Sequence, residues 1–345
     1  MTTVDLGTEA LELLRKSLGV GDGWTLEQIG AEPYLKRQAG SAVHWSFWGA
    51  LQCAWPEPLA VPGGRPTCRV HLRTRLLDGF TGSPKQIAAL AASLPHASLA
   101  GIVSLDGPRR PLELASAVDI HDGNIESMVR LLRITARAQA VDARHLFSWS
   151  KPLESVGLVP TVDETADDPT VVCLRPGEVR FKDAAAGGEG VTWTGHDMAM
   201  CAEALQQGGE WRAVETPWGI SVTFAPDWTS DVHSVLEVRP DVGRPLIGRG
   251  VGVSLWTPIR GGLLDAMAWN ERDLVAAGLG VALGGWWATE ASMLVHRSFY
   301  PAEVWHPDLV SELLRSYMRR ANAANASEAP PQTARKAGAD LAPLR

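Results

Sequence analysis

One stretch of the sequence places a basic side chain at every second position. Arg69, His71, Arg73 and Arg75 alternate there with cysteine, valine, leucine and threonine. Alternation of this kind predicts a β-strand whose basic side chains share one face of a sheet. Such a face could bind an acidic peptide or another anion. It would also arise where one side of an antiparallel sheet meets water and its charges pair with carboxylates, and the pattern leaves both interpretations open.

Tryptophan is the second unusual feature, because 14 tryptophans outnumber the six phenylalanines and three tyrosines together. Trp256, Trp269, Trp286 and Trp287 form a run in the second half of the chain. An exposed run of tryptophans could stack on sugars or form the centre of a protein interface. Tryptophan is also commonly buried, so a place in the core is the alternative. Trp256 and Trp286 join the four basic residues as candidate binding residues.

Other patterns with catalytic associations lack the context that the chemistry needs. Gly278, Gly280 and Gly284 imitate a dinucleotide-binding loop, but here a helix is predicted before the loop and a strand after it, which reverses the required order. Ser148 and Lys151 have the spacing of penicillin-recognising enzymes without the companion motifs. The nine histidines are scattered. We therefore predict a protein that is not an enzyme and that uses no cofactor or metal.

Composition narrows the choice of partner and compartment. The net charge of −7 argues against nucleic acid as a partner, since nucleic-acid-binding domains are usually basic. No apolar run reaches the roughly 18 residues that suggest a membrane span, and the first residues do not resemble a signal peptide. The four cysteines form no close pair, which favours free thiols in a reducing compartment. These features predict a cytoplasmic protein without a membrane partner.

Signals for helix starts recur in the same order and at similar distances in the two halves of the chain. They fall at Thr8, Ser83 and Asn124, and again at Thr194, Asn270 and Asp308. Between them, each half reads as helix, three or four strands, helix, two strands, helix. A repeated element order indicates duplication. The predicted fold is α+β, with two tandem modules that each pack helices on an antiparallel sheet.

The same patterns predict the boundaries. The first module covers 1–147, an irregular acidic and glycine-rich linker covers 148–193, the second module covers 194–322, and a disordered tail covers 323–345. A hairpin is possible within the linker at Val171–Phe181. Four prolines between Trp55 and Pro66 predict a long turn.

Several short segments of the second half support a family resemblance. They are Arg244–Gly250 before a strand, Trp269–Glu271 at a helix start, Gly284–Trp286, and Ser298–Ala302. With the element order, they make the chain similar to the YbjN-like bacterial proteins described as sensory-transduction regulators, which share the compact α+β fold of type III secretion chaperones. The resemblance implies a binding module without catalytic residues, in a fold class that commonly pairs two subunits.

The predicted function is therefore that of a non-catalytic, peptide- or protein-binding regulator or chaperone-like factor. The alternative is a small-molecule or carbohydrate-binding protein that uses its tryptophans. Because the covalent link gives each module a high effective concentration of the other, we expect a monomer whose halves form an internal pseudo-dimer.

Overall fold

The computed structural model of the protein describes residues 3–18, 24–29, 32–37, 52–59, 65–94, 100–104, 110–147, 150–161, 171–175, 178–181, 211–225, 233–244, 248–275, 284–301 and 307–328. The first module consists of α1 (Thr3–Leu18), β1 (Trp24–Ile29), β2 (Glu32–Arg37), β3 (Gln52–Leu59), β4 (Thr67–Asp78), α2 (Pro84–Ser93), β5 (Gly101–Ser104), β6 (Leu112–Ile120), α3 (Ile125–Phe147), α4 (Ser150–Glu154) and β7 (Val159–Pro160).

A hairpin of β8 (Val171–Arg175) and β9 (Glu178–Phe181) follows, as the sequence suggested. The described part of the second module consists of β10 (Trp211–Thr216), β11 (Gly219–Phe224), β12 (Ser234–Arg244), β13 (Gly248–Arg260), α5 (Leu263–Val275), β14 (Gly285–Ala288), β15 (Met293–Pro301) and α6 (Pro307–Glu328). The helix predicted at Thr194 lies outside the described residues.

The two main sheets have the same strand order. The first runs β1-β2-β3-β4-β6-β5, with β7 beside β4, and the second runs β10-β11-β12-β13-β15-β14. Neighbouring strands within each sheet are antiparallel. The predicted α+β class and its two tandem modules are confirmed.

Helices cover the inner face of each sheet. In the first module, Val70 and Leu72 of β4 are buried with Leu11 and Leu14 of α1 in one apolar cluster. Leu313 of α6 belongs to the same cluster on the side of the second module. Burying one such side chain contributes about 2 kcal/mol to stability, so the alternation along each strand decides which face turns inward.

The start of α2 agrees with the capping signal in the sequence. Ser83 is the N-cap, and its hydroxyl accepts a hydrogen bond from the Gln86 backbone. The Gln86 side chain donates to the carbonyl oxygens of Gly79 and Val156. It thereby ties the segment after α3 to the first module.

The second module's middle helix begins earlier than predicted. The structure starts α5 at Leu263, seven positions before Asn270. The Asp265 carboxylate accepts a hydrogen bond from the Gly262 backbone N–H at 2.7 Å, and Gly262 holds the position that Ser83 holds before α2. Because Gly262 has no capping side chain, the usual signal is absent, whereas Asn270 followed by Glu271 imitates one.

The predicted turn at Trp55–Pro66 is wrong in its first part, where β3 extends to Leu59. Pro56 and Pro58 pair with β4 on one side, while β2 pairs only with residues 52–54 of β3. Proline is tolerated at a sheet edge because no ladder hydrogen bond is lost there.

Two boundaries also shift. Residues 150–161 belong to the first module, because α4 packs there and Pro160 of β7 pairs with Leu77 of β4. At the other end, α6 continues to Glu328, past the predicted boundary at 322. Asn325 is buried, and its side chain bonds to Ser234 and to the Phe224 carbonyl, which makes the start of the predicted tail part of the core.

The modules meet at the outer edges of their sheets, where β5 lies beside β14. Ala100 and Gly284 form a parallel bridge. The Asn270 amide joins the two edges, because it donates to the Ile102 carbonyl at 3.0 Å and accepts from the Trp286 N–H at 2.7 Å. Around this contact, apolar residues of both modules form one buried cluster, including Leu76, Leu90, Met267, Trp287 and Val295.

Candidate functional site

Both sets of candidate residues lie on equivalent strands. Strand β4 pairs with β3 and β6 as β13 pairs with β12 and β15. Following the registers places Arg69, His71, Arg73 and Arg75 at the positions of Gly250, Gly252, Ser254 and Trp256. In both modules these residues form the row on the outer face, opposite the inward-facing Val70 and Leu72 of β4 and Val251 and Val253 of β13. The same structural position therefore carries a basic row in one module and Trp256 in the other.

The first residue of the basic row lies in the contact between the modules. Arg69 is 1% exposed. Its guanidinium binds both carboxylate oxygens of Asp119, at 2.7 and 3.0 Å, and donates to the carbonyl of Leu274 at 3.1 Å. Leu274 ends α5 and packs on Val103, Ala115 and Ala117 of the first sheet. Here Arg69 places a positive charge against the negative end of a helix of the second module.

His71 is buried as well. Its Nε2 atom lies 2.6 Å from a carboxylate oxygen of Glu57, and the Trp55 ring stacks on the imidazole at 5.1 Å. Burial lowers the pKa of His71, while the contact with Glu57 opposes that effect. Neither Arg69 nor His71 is accessible to a macromolecular partner, so a dock that uses all four basic side chains is excluded in this structure.

Arg73 and Arg75 are partly exposed, each with a carboxylate nearby. Arg75 donates to Asp78 at 2.9 Å, and Arg73 lies 3.7 Å from Glu113 and over the Trp55 ring. Burial raises the pKa of Glu113, and the charge of Arg73 opposes that rise. Of the two interpretations, carboxylate pairing describes this row, although Arg69 lies against the end of α5 instead of facing water.

Trp286 belongs to the core. It is 1% exposed, and its indole N–H donates to the Asp273 carboxylate at 3.0 Å. The same carboxylate oxygen accepts from Arg320 at 2.7 Å. An indole and a guanidinium thus satisfy one buried carboxylate, and this ion pair joins α5, β14 and α6.

A chain of polar side chains continues from this ion pair. His296 lies 3.8 Å from Asp273 and 3.0 Å from the Tyr317 hydroxyl, which also contacts the Ser298 hydroxyl. Burial lowers the pKa of His296 well below its ordinary value and raises that of Tyr317. An aspartate, a histidine and a tyrosine can transfer protons in an open site. These side chains are closed to solvent, so their evident effect is to connect β15 with α5 and α6.

Trp256 differs from Trp286, since it is 38% exposed. It stands on what we call the open face, the outer side of β10–β13. Register places Arg212, Thr223, Val235 and Trp256 in one row of this face, and Val214, Ser221, Glu237 and Ser254 in the next. Inner-face residues such as Val222 and Leu236 are buried, whereas Val214 is 60% exposed. The open face therefore combines hydroxyl, charged and aliphatic side chains with an indole at one side.

Trp218 is a second exposed tryptophan, which the sequence analysis missed. It sits in the two-residue turn between Thr216 and Gly219, is 38% exposed, and carries the Arg239 guanidinium 4.8 Å from its ring centre. Arg239 stands on the open face and also bonds Glu237. Trp256 has a similar neighbour, since the Arg297 guanidinium lies 6.0 Å from its ring centre. The sequence does contain a signal that Trp218 is exposed, because it lies in a hairpin turn between two apolar strands, where a tryptophan has little to pack against.

The length of one helix explains why this face is open. Counted from the N-caps Ser83 and Gly262, the position of Leu274 corresponds to Pro95. Helix α2 ends at Ser93, so it lacks the last turn with which α5 covers the first sheet. Among the described residues, the cover on this side of the second sheet is at Phe299 of β15, which packs with Ala138 of α3 and Val242 of β12.

Two searches of the described residues gave no positive result. No group of three or more histidine, cysteine, aspartate or glutamate side chains there is placed to hold a metal ion. In the same part of the chain, no helix is both long enough and apolar enough to cross a membrane.

Comparisons with protein-family models, with curated proteins and with solved structures gave no match.

Proposed function

We propose that the protein is a non-catalytic, peptide- or protein-binding regulator or chaperone-like factor, and that it binds its partner through the open face. The observation that supports this best is the pair of exposed tryptophans, Trp218 and Trp256, each beside an arginine. Tryptophan and arginine are the residue types most enriched among those that dominate binding energy at protein interfaces.

The surroundings of the tryptophans fit this function. The strands under them are anchored by a buried core, so the backbone that carries the tryptophans needs little ordering on binding. Val214 adds exposed apolar area on the same face. Exposed apolar area of this kind, bordered by polar residues, is typical of interaction sites.

The proposal includes a cytoplasmic monomer of 37.1 kDa with an internal pseudo-dimer, a mass that light scattering would measure. Its support is that the contact between the modules buries apolar residues of both in one cluster. Cys68 is a buried free thiol whose pKa is raised to about 12 by burial, which suits a reducing compartment.

A carbohydrate is the alternative ligand, since Ser221, Thr223 and Ser254 place hydroxyl groups on the open face. Arginines lie beside the rings of both tryptophans, and the combination of tryptophan and arginine is typical of protein interfaces, so we favour a protein partner. A glycan array probed with the full chain separates the two.

The experiment compares affinity capture from native lysate by the full chain and by the double variant Trp218→Ala, Trp256→Ala, read by quantitative mass spectrometry. Val275→Ser is the matched control, because Val275 is exposed on α5, away from the open face. We expect a partner that the wild type and the control capture equally and that the double variant loses. The purified partner should then bind directly in calorimetry.

The proposal fails if the double variant captures the same proteins as the wild type. It also fails if binding to the glycan array depends on the tryptophans while capture of proteins does not.

A further inference from the structure

The open face differs in charge from the chain as a whole. Among the described side chains, those that carry charge on the outer side of β10–β13 and at the adjoining position of β15 are Arg212, Arg239, Arg297 and Glu237. This described set carries three positive charges and one negative charge, whereas the whole chain has a net charge of −7. A local excess of one sign against the overall charge attracts partners of the opposite sign and repels others.

We infer that the partner segment is acidic, with carboxylates next to an aromatic or aliphatic side chain; this rests on the proposed function. Each exposed tryptophan stands beside a guanidinium, at 4.8 Å for Trp218 and 6.0 Å for Trp256. One site therefore offers an apolar ring and a cation side by side. A partner residue with an apolar group can pack on the indole while a neighbouring carboxylate binds the guanidinium.

The segment is also extended. Arg239 lies on β12, and Trp256 lies on β13 two rows away along the sheet. At about 3.3 Å per residue and about 4.8 Å between strands, the two tryptophan–arginine pairs are on the order of 15 Å apart. A strand-like segment of about five residues spans that distance, so the two pairs can bind two anchors of a single segment.

Single-stranded nucleic acid could also stack on tryptophans and bind arginines. Glu237 argues against it, since this carboxylate sits between the two pairs, bonded to Arg239, and would repel a phosphate backbone. An acidic peptide can place its carboxylates away from Glu237, whereas a nucleic acid has a charge at every nucleotide.

The test selects random twelve-residue peptides displayed on phage against the full chain. Binding of the selected peptides and of a twelve-nucleotide oligouridylate is then measured by fluorescence anisotropy at low and high salt. The variants are Trp256→Ala and Arg239→Glu. The control is Arg272→Glu, because Arg272 also lies over a tryptophan, Trp269, but on α5, outside the open face.

We expect the selected peptides to be rich in aspartate and glutamate with at least one aromatic residue. Each of the two variants should weaken binding about tenfold or more, Arg272→Glu should change it by less than about twofold, and salt should weaken it. Neutral or basic peptides that still need Trp256 would leave the proposed function standing and overturn the acidic partner. Peptides indifferent to both variants, or no selection above background, would overturn both. Tighter binding of the oligouridylate than of any peptide would overturn the acidic peptide in favour of nucleic acid.

Discussion

Gly101 and Gly285 are the first residues of equivalent edge strands, and they lie against each other where the two modules meet. A Cβ atom on Gly285 would come within 2.3 Å of the Gly101 Cα atom. Contact between equivalent residues is a property of two-fold symmetric pairs. It supports the internal pseudo-dimer that we propose, and the close approach leaves no room for a side chain on Gly285.

Replacing Gly285 with alanine should therefore destabilise the protein. The added methyl group meets backbone atoms of Gly101 that cannot rotate away, so β14 must move. We expect a loss of about 2 kcal/mol in the free energy of unfolding, measured by urea denaturation. Gly262→Ser is the control, because a Cβ there meets nothing within 4 Å and serine suits a helix N-cap. Equal stability of Gly285→Ala and wild type would contradict the close contact.

The ion pair of Arg69 and Asp119 gives a second prediction. Asp119→Asn keeps the shape but leaves the buried guanidinium without its counter-charge, and we expect a loss of about 3 kcal/mol. Glu12→Gln breaks a pair with Arg15 on the surface of α1, where the loss should be below about 0.5 kcal/mol. Chemical denaturation measures both. Similar losses for the two variants would mean that Arg69 is not held in the module contact.

Trp286 and Trp256, both selected from the sequence, should lose different amounts of stability on substitution. Trp286→Leu leaves a cavity and removes the indole N–H from Asp273, so we expect a loss of about 3 kcal/mol. Trp256→Ala removes a side chain that is 38% exposed, and its loss should stay below about 1 kcal/mol. Thermal and urea unfolding distinguish these outcomes. A large loss for Trp256→Ala would place it in the core.

Most of the fold can be predicted from the sequence, because apolar alternation and capping signals report which face of an element turns inward. The duplication and the α+β class follow from them. What covers the other face is not encoded locally, since the alternation around Arg69 is the same whether water or α5 lies above it. The start of α5 was missed for a related reason, because its cap is a glycine with an aspartate three residues later. The open face depends on the end of α2, a relationship between distant segments.

His296 should make stability depend on pH. Its pKa in the folded protein lies well below the ordinary 6.5, because of burial and then the charge of Arg320. The contribution of neutral His296 to the free energy of unfolding is therefore complete above pH 6.5. It is lost as the pH falls below 6.5, by up to about 1.4 kcal/mol per pH unit. Urea unfolding between pH 7.5 and 5.5 should show a smaller decline for His296→Gln than for the wild type. His71, whose pKa is also lowered, remains in the variant and contributes part of the decline. Identical slopes would contradict a buried, neutral His296.

We propose that the open face of the second sheet, and not the equivalent basic row of the first sheet, binds the partner. The most direct measurement is calorimetric titration of the full chain with a peptide selected on it, compared for Arg239→Glu and Arg75→Glu. Arg75 lies in the basic row, at the position that Trp256 holds in the second module. Arg75 and Arg239 are both partly exposed and each pairs with one carboxylate, so the two charge reversals are matched. We expect Arg239→Glu to raise the Kd for the peptide about tenfold or more and Arg75→Glu to leave it within about twofold. A Kd that rises with Arg75→Glu and not with Arg239→Glu would contradict it.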